Sequence, residues 1–313
     1  MAWRKAVFLV LGVFLFSACS LVQLNRSRVQ SGYKRAGLLP HDIKLSSGMM
    51  HYYDGGSGPP VLLVHGFAFG ALETWEKQVP LFSKSYRVIA PDLYWFGRSV
   101  PAGVMDDAEQ QARALSELLT QLGISRSAVI GVSFGGYVAI ELGLTHPEQV
   151  DKLVLVDAAG LAPTAQESQQ VAANFGGKQR IADLLIPKDP DELGRLIKTL
   201  FYKPRCIPKC VLREILHKEF WQNKEAKQQI CERMDAEGGF LAPAALRGIS
   251  APTLLIWGRY DPLILPSIGA RLAASIPSSR IVYFEQSKHS PMLEEAKRFN
   301  TEVLGFLSSR STR

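Results

Sequence analysis

The pentapeptide Gly131-Val132-Ser133-Phe134-Gly135 joins an apolar run, Ala128-Val129-Ile130, to a helical stretch, Tyr137-Val138-Ala139-Ile140-Glu141-Leu142. Glycines two residues to either side of a central serine let a buried strand and the helix after it approach where a Cβ would clash. Gly136 extends that permissive surface by one position. The serine itself must hold a strained backbone, and the turn lifts its Oγ over the carboxyl edge of a sheet with a helix N-terminus beneath it. Such a pentapeptide also occurs in surface loops. The buried-type strand before it and the helix after it set this one apart, and they commit the chain to strand–turn–helix units.

The rest of the chain repeats that unit. Val61-Leu62-Leu63-Val64, Tyr86-Arg87-Val88-Ile89-Ala90, Leu153-Val154-Leu155-Val156, Thr253-Leu254-Leu255-Ile256-Trp257 and Ile281-Val282-Tyr283-Phe284 read as strands. Asp42-Ile43-Lys44-Leu45 and Met50-His51-Tyr52-Tyr53 read as a strand pair joined through Ser47-Gly48. Ala108, Ala112, Leu115, Leu119 and Leu122 step by four and three, one apolar face of a helix, and Ala296, Phe299, Val303 and Phe306 mark a closing one. Strands rich in Val, Ile and Leu that alternate with helices demand a mostly parallel sheet covered on both faces. Its active residues should gather at the carboxyl edge. Residues 161–248 break the alternation: they are helical in character and punctuated by Pro187, Pro190, Pro204 and Pro208. They are expected to form a cap between the sixth and seventh strands, leaving 41–160 and 249–313 as the core.

A serine hydroxyl needs a base and an orienting acid to act as a nucleophile. Among six histidines, only His289 follows a late apolar strand, in Ser287-Lys288-His289-Ser290-Pro291. Asp261 follows the strand before it, in Gly258-Arg259-Tyr260-Asp261. Ser133, Asp261 and His289 thus stand past strand ends in the order serine, acid, histidine. Val61-Leu62-Leu63-Val64 runs into His65-Gly66-Phe67. Gly66 allows a turn that aims the Phe67 N–H at a substrate carbonyl oxygen, and the Phe134 N–H is the expected second donor. The rings of Phe67 and Phe134 are expected to wall an apolar acyl pocket.

The N-terminus bears on location. Arg4 and Lys5 precede an apolar stretch from Ala6 to Phe16, then Ser17-Ala18-Cys19-Ser20, the pattern of a secretory signal peptide over residues 1–18. The competing reading is an uncleaved membrane anchor, since Ala6 to Leu24 is about the length of a span. Arg26 and Arg28 oppose export of the chain on the C-terminal side of such an anchor. Residues 19–40, polar and basic without clear periodicity, read as a tether. The net charge of +7 comes from scattered residues with no basic run interleaved with aromatics, which argues against nucleic acid. Cys206, Cys210 and Cys231 fall in one segment, and export would permit one disulfide among them with the pairing open. Their spacing is not a metal signature.

These pieces together resemble the α/β-hydrolase fold across nearly all of the mature length. The resemblance is strongest to small bacterial lipases and esterases often called family V, with kinship to monoacylglycerol lipases. It is carried by His65-Gly66-Phe67, Trp75, Pro91-Asp92-Leu93 with Phe96-Gly97-Arg98-Ser99, the elbow, His146-Pro147-Glu148, Val156-Asp157, Trp257 to Asp261 and His289-Ser290-Pro291. It implies a mostly parallel eight-stranded sheet, a Ser133–Asp261–His289 triad working through an acyl-enzyme, and no metal or organic cofactor. The substrate it implies is a small apolar acyl ester or lipid, taken by a monomer. Phe16-Ser17-Ala18-Cys19 is similar to a bacterial lipobox, with Phe16 where leucine is usual. It implies Cys19 as a lipidated first residue in the cell envelope, at the outer membrane given Ser20. Two positions depart from the pattern. Trp95 stands where glycine is usual, so the loop after Asp92 is expected to turn differently, and Lys288 replaces a common glycine before the histidine. Relatives that use an aspartate nucleophile are excluded by Ser133, and their proline is replaced by Ala68. Hydrolysis of carbon–carbon bonds by the same triad, and a non-catalytic tethered binding protein, stand as the alternatives.

Overall fold

The computed structural model describes residues 20–309. The signal peptide at 1–18 and the lipidation site Cys19 lie outside them. Nine strands make one sheet: β1 Leu39–Leu45, β2 Gly48–Gly55, β3 Pro60–Val64, β4 Arg87–Pro91, β5 Val100–Pro101, β6 Ser127–Val132, β7 Val150–Val156, β8 Thr253–Gly258 and β9 Ser279–Phe284. Eight of them run in the order β1-β2-β4-β3-β6-β7-β8-β9, antiparallel at β1, β2 and β4 and parallel from β4 to β9. The expected eight strands are therefore joined by a ninth, the two-residue β5, which adds to β2 through Val100 and Pro101. Pro101 has no N–H to give to a ladder, which keeps this strand short and at the edge.

Both faces of the sheet are covered, as the unbroken Val/Ile/Leu strands require. On one face Val129, Leu153 and Leu255 pack beneath helices Ala108–Gln121 and Phe134–Thr145. On the other Val61, Ile130 and Val154 pack against Trp75, Phe82 and the closing helix Ala296–Ser308 through Phe299 and Val303. Helices Ala165–Asn174, Ile181–Leu185, Pro190–Leu200, Lys209–Ile215 and Lys224–Asp235 stand between β7 and β8. With β5 set aside, these are the sixth and seventh strands. The helices carry a small core of their own, in which Leu193, Leu196, Leu212, Leu216 and Phe220 meet Ala68 of the main domain.

Two expectations are corrected. Residues 21–35 form a helix, Leu21–Arg35, rather than a tether, and β1 begins at Leu39. Only Val29 and Tyr33, four residues apart, are buried on that helix, a stripe too narrow to register in a polar sequence. What fixes it is tertiary: the Tyr33 hydroxyl donates to the Ala71 carbonyl at 3.0 Å, and the ring meets Tyr53 edge-on at 5.1 Å. Arg26 pairs with Glu73 at 3.3 Å and Arg28 with Glu76 at 2.7 Å. The expected disulfide is also absent among the described residues. Cys231 is buried inside helix Lys224–Asp235 while Cys206 and Cys210 are exposed, and all three are free thiols.

Because Tyr33 is fully buried, Tyr33→Phe leaves the Ala71 carbonyl short of its partner. Urea unfolding should show a loss of about 1 kcal/mol, the usual net worth of such a bond. An unchanged midpoint would mean that the helix is not held to the core in this way.

Candidate active site

Ser133 holds φ 54° and ψ −120°, outside the ordinary regions for a residue with a Cβ. Four backbone bonds keep it there. Its N–H donates to Val156 O at 2.9 Å, and its carbonyl accepts from Gly136, Tyr137 and Ala159 N–H at 2.9, 3.2 and 3.0 Å. The helix Phe134–Thr145 can start immediately because residue 135 is glycine: a Cβ there would lie 2.1 Å from the His65 carbonyl. The Ser133 side chain caps nothing in its own helix, so Oγ is left for chemistry.

The three side chains that the sequence placed at separate strand ends meet. His289 Nε2 is 3.0 Å from Ser133 Oγ, and His289 Nδ1 is 2.7 Å from Asp261 Oδ2. Asp261 is 2 % exposed, and its Oδ1 accepts the Leu263 and Ile264 N–H groups at 2.9 and 3.1 Å. A carboxylate so held makes Nδ1 the donor, which leaves the Nε2 lone pair toward the serine hydroxyl. Chemically this is a hydroxyl, a base for its proton and an anion to stabilise the imidazolium.

The His65-Gly66-Phe67 loop abuts the serine. A Cβ on Gly66 would lie 3.2 Å from Ser133 Cβ, so glycine is required by the approach. His65, which sequence pattern places only as a loop residue, is the brace of this loop. It is fully buried, its Nδ1–H donates to Gly66 O at 2.7 Å, and its Nε2 accepts the Leu93 N–H at 2.8 Å. Only a neutral ring can do both, and burial pushes its pKa down accordingly. The loop after Asp92 is pinned by that carboxylate, which accepts from Ala71 N–H at 2.8 Å and Arg98 N–H at 2.9 Å. Trp95 sits at φ 73°, so the turn that a glycine would make is kept and a tryptophan bears it, against the expectation of a different turn. Such a backbone costs about 1–3 kcal/mol. Phe67 lines the cavity above the serine, whereas the Phe134 ring does not. It is 2 % exposed and packs in the core beside Phe96, at 6.3 Å between ring centres.

Two further acids act on the triad. Asp157, at φ 40° just past β7, is fully buried and accepts the Gly258 N–H at 2.8 Å. Burial, and then the charge of Asp261, raise its pKa well above the carboxylate range, which favours the protonated acid. Asp157, Asp261 and His289 offer ligand atoms within 4.8 Å of one another, the one such group among the described residues that a cation could bridge. Both His289 nitrogens are already engaged, and a cation would have to break the bond to Asp261. Glu294 joins the histidine loop to the cap: it accepts the Lys288 N–H at 2.9 Å and the Tyr202 N–H at 2.5 Å. The last carbonyls of helix Pro190–Leu200 complete the tie. Thr199 O accepts from Lys288 Nζ at 2.9 Å and Leu200 O from the His289 N–H at 3.0 Å. An ammonium at a helix C-terminus is favoured by the helix dipole, which gives the unusual Lys288 a local purpose.

A cavity of about 670 Å³ opens over Ser133 and His289. Its roof is aliphatic, with Leu193, Leu196, Ile197, Leu200, Ile207 and Ile215 from the cap.

A sequence profile described as the alpha/beta hydrolase fold matches residues 59–296. "Lipase 1" of Psychrobacter immobilis is 27% identical over 278 residues, covering 87% of this chain and 85% of the relative. "2-Hydroxymuconate semialdehyde hydrolase" of a Pseudomonas species is 30% identical over 263 residues, covering 82% and 89%. Among solved structures, a bacterial membrane phospholipase A described as a virulence factor superposes with a TM-score of 0.80 at 25% identity, covering 98% of this chain and 97% of that one.

Two outcomes are expected of this geometry. A raised folded-state pKa at Asp157 means that its contribution is complete below the unfolded carboxyl value and fades as pH rises through the folded one. Asp157→Asn keeps the neutral acceptor for Gly258, so its melting temperature should fall less steeply than that of the parent between about pH 5 and 9; parallel curves would refute the protonated acid. Glu294→Ala frees the histidine loop from the cap. It should slow labelling of Ser133 by a fluorophosphonate about tenfold or more, since small displacements of a base are costly. Unchanged labelling at a lower melting temperature would reduce Glu294 to a structural role.

Proposed function

The chain belongs to the alpha/beta hydrolase family, as a serine hydrolase, and on that premise we propose that it hydrolyses carboxylic esters of lipids. Ser133 Oγ attacks the acyl carbonyl carbon while His289 Nε2 takes its proton. Asp261 stabilises the imidazolium. The N–H groups of Phe67 and Phe134 receive the developing oxyanion, and Phe134, as the first residue of its helix, has an N–H without an intrahelical acceptor. Loss of either donor is worth roughly 3–4 kcal/mol of transition-state stabilisation. The alcohol leaves with the proton from His289, which then draws a proton from water to release the acid. The chemistry needs no metal or organic cofactor.

The observation that carries the ester reading is the aliphatic roof of the cavity over Ser133, a wall suited to an acyl chain. It agrees with the names of two of the similar proteins, a lipase and a membrane phospholipase A. The second reading is carbon–carbon bond hydrolysis with the same triad, favoured by the 30% identity to the semialdehyde hydrolase.

We further propose that a monomer works at the cell envelope, anchored by acylation of Cys19. No helix among the described residues is long and apolar enough to cross a membrane. Helix Leu21–Arg35 begins two residues after Cys19, and its Arg26 and Arg28 pair with Glu73 and Glu76, which line the cavity. An anchor there brings the cavity to a lipid surface.

Ser133→Ala should lower turnover of p-nitrophenyl esters by at least about a thousandfold without loss of folding, as expected when a triad member is removed. A chain-length series of those esters should favour medium over acetyl chains. Undiminished turnover in the variant, or cleavage of a dienone substrate far faster than of any ester, would defeat the reading.

A further inference from the structure

Six charged side chains besides the catalytic histidine line the cavity: Glu73, Glu76, Glu294, Lys77, Lys203 and Arg205. Two of the three acids pair with arginines of helix Leu21–Arg35, and the third accepts backbone N–H groups. Arg26 pairs with Glu73 at 3.3 Å and Arg28 with Glu76 at 2.7 Å, and Glu294 takes the backbone N–H groups of Tyr202 and Lys288. Lys77 Nζ donates to the Leu293 carbonyl at 2.6 Å, Lys203 Nζ stands 6.0 Å from the centre of the Tyr202 ring, and no ion pair to a carboxylate is formed by Lys77, Lys203 or Arg205 among the described residues. The cavity therefore joins an aliphatic roof to a margin of exposed cations that no carboxylate pairs among the described residues.

We propose that the site takes acyl esters whose alcohol carries a phosphate group, with the acyl chain under Leu196 and Leu200 and the phosphate against Lys203 and Arg205, Lys77 adding its charge. This rests on the ester reading and names its substrate class. A guanidinium fork beside an ammonium matches the several acceptor oxygens of a phosphate. A lipid also supplies the chain that covers the aliphatic wall, which a short carboxylate substrate does not. The reaction at Ser133 is unchanged: the acyl C–O bond breaks, the oxygen of water joins the acyl carbon, and the phosphate leaves intact on the alcohol.

The full chain is assayed on three decanoyl esters held below their micelle concentrations: 1-decanoylglycerol 3-phosphate, neutral 1-decanoylglycerol, and a decanoyl glycerate with a carboxylate in place of the phosphate. In the parent, kcat/KM for the phosphate ester should exceed that for the neutral ester about tenfold, a difference of about 1.4 kcal/mol. The glycerate should fall between them. In Lys203→Ala/Arg205→Ala the ratio should drop to within twofold, mainly through KM. Added salt on the unmutated chain should collapse it likewise, which removes any dependence on how the variant folds. A ratio near one in the parent, a ratio that survives both the double variant and salt, or a glycerate preferred to the phosphate would overturn the proposal. In each of those cases a hydrolysed neutral ester leaves the ester reading standing, whereas failure to turn over any of the three removes that reading itself.

Discussion

The backbone of Ser133 is the constraint on which the rest depends. A residue with a Cβ at φ 54° costs about 1–3 kcal/mol and does not persist unless its surroundings over-determine it. Here β7 supplies the acceptor for its N–H, and the first turn of its own helix and Ala159 supply donors for its carbonyl. The strand, the helix and the loop after β7 thus converge on one peptide unit. Because β6 is central in the parallel part of the sheet, with β3 on one side and β7 on the other, the same peptide unit also sets the position of the His-Gly loop and of Asp157.

Much of this was legible in the sequence because it is carried by local pattern. Val/Ile/Leu runs of strand length, the step of four and three in helix Ala108–Gln121, and glycines flanking a serine each have one economical physical reading. The carboxyl-edge rule then predicts that Asp261 and His289 meet Ser133, since all three follow strand ends. The parts that escaped are those in which tertiary contact outweighs pattern. Helix Leu21–Arg35 buries two side chains and is held by Tyr33 and by arginines that reach another segment. Trp95 keeps a turn that composition alone assigns to glycine, because Asp92 and His65 clamp the loop from both sides. The Phe134 ring packs in the core beside Phe96 rather than lining the cavity, a choice that no local pattern encodes.

The contacts of His65, Asp157 and Glu294 share a reason for having been missed. Each acts through a backbone group or a neighbour far away in sequence, and no spacing encodes such a bond. Their contacts extend the site beyond the triad. The base is oriented by Asp261, which lies beside the buried carboxyl of Asp157, and its loop is fastened to the C-terminal end of a cap helix by Lys288, Glu294 and its own amide. The cap is tied at its other end as well, near Leu212 to Phe220, where it touches Ala68 and Arg26.

That division bears on how one scaffold serves different substrates. The nucleophile and base come from the sheet edge, while most of the roof of the cavity comes from residues 190–220. Chemistry and recognition are therefore carried by separate stretches of chain, and the second can change without disturbing the strained peptide that the first requires. Similarity to both a lipase and a semialdehyde hydrolase is what such a division produces, since the stretches that support the serine constrain the sequence alike whatever lies above it. The discriminating residues are then those of the roof and margin. In this chain those residues are aliphatic over the serine and cationic at the rim.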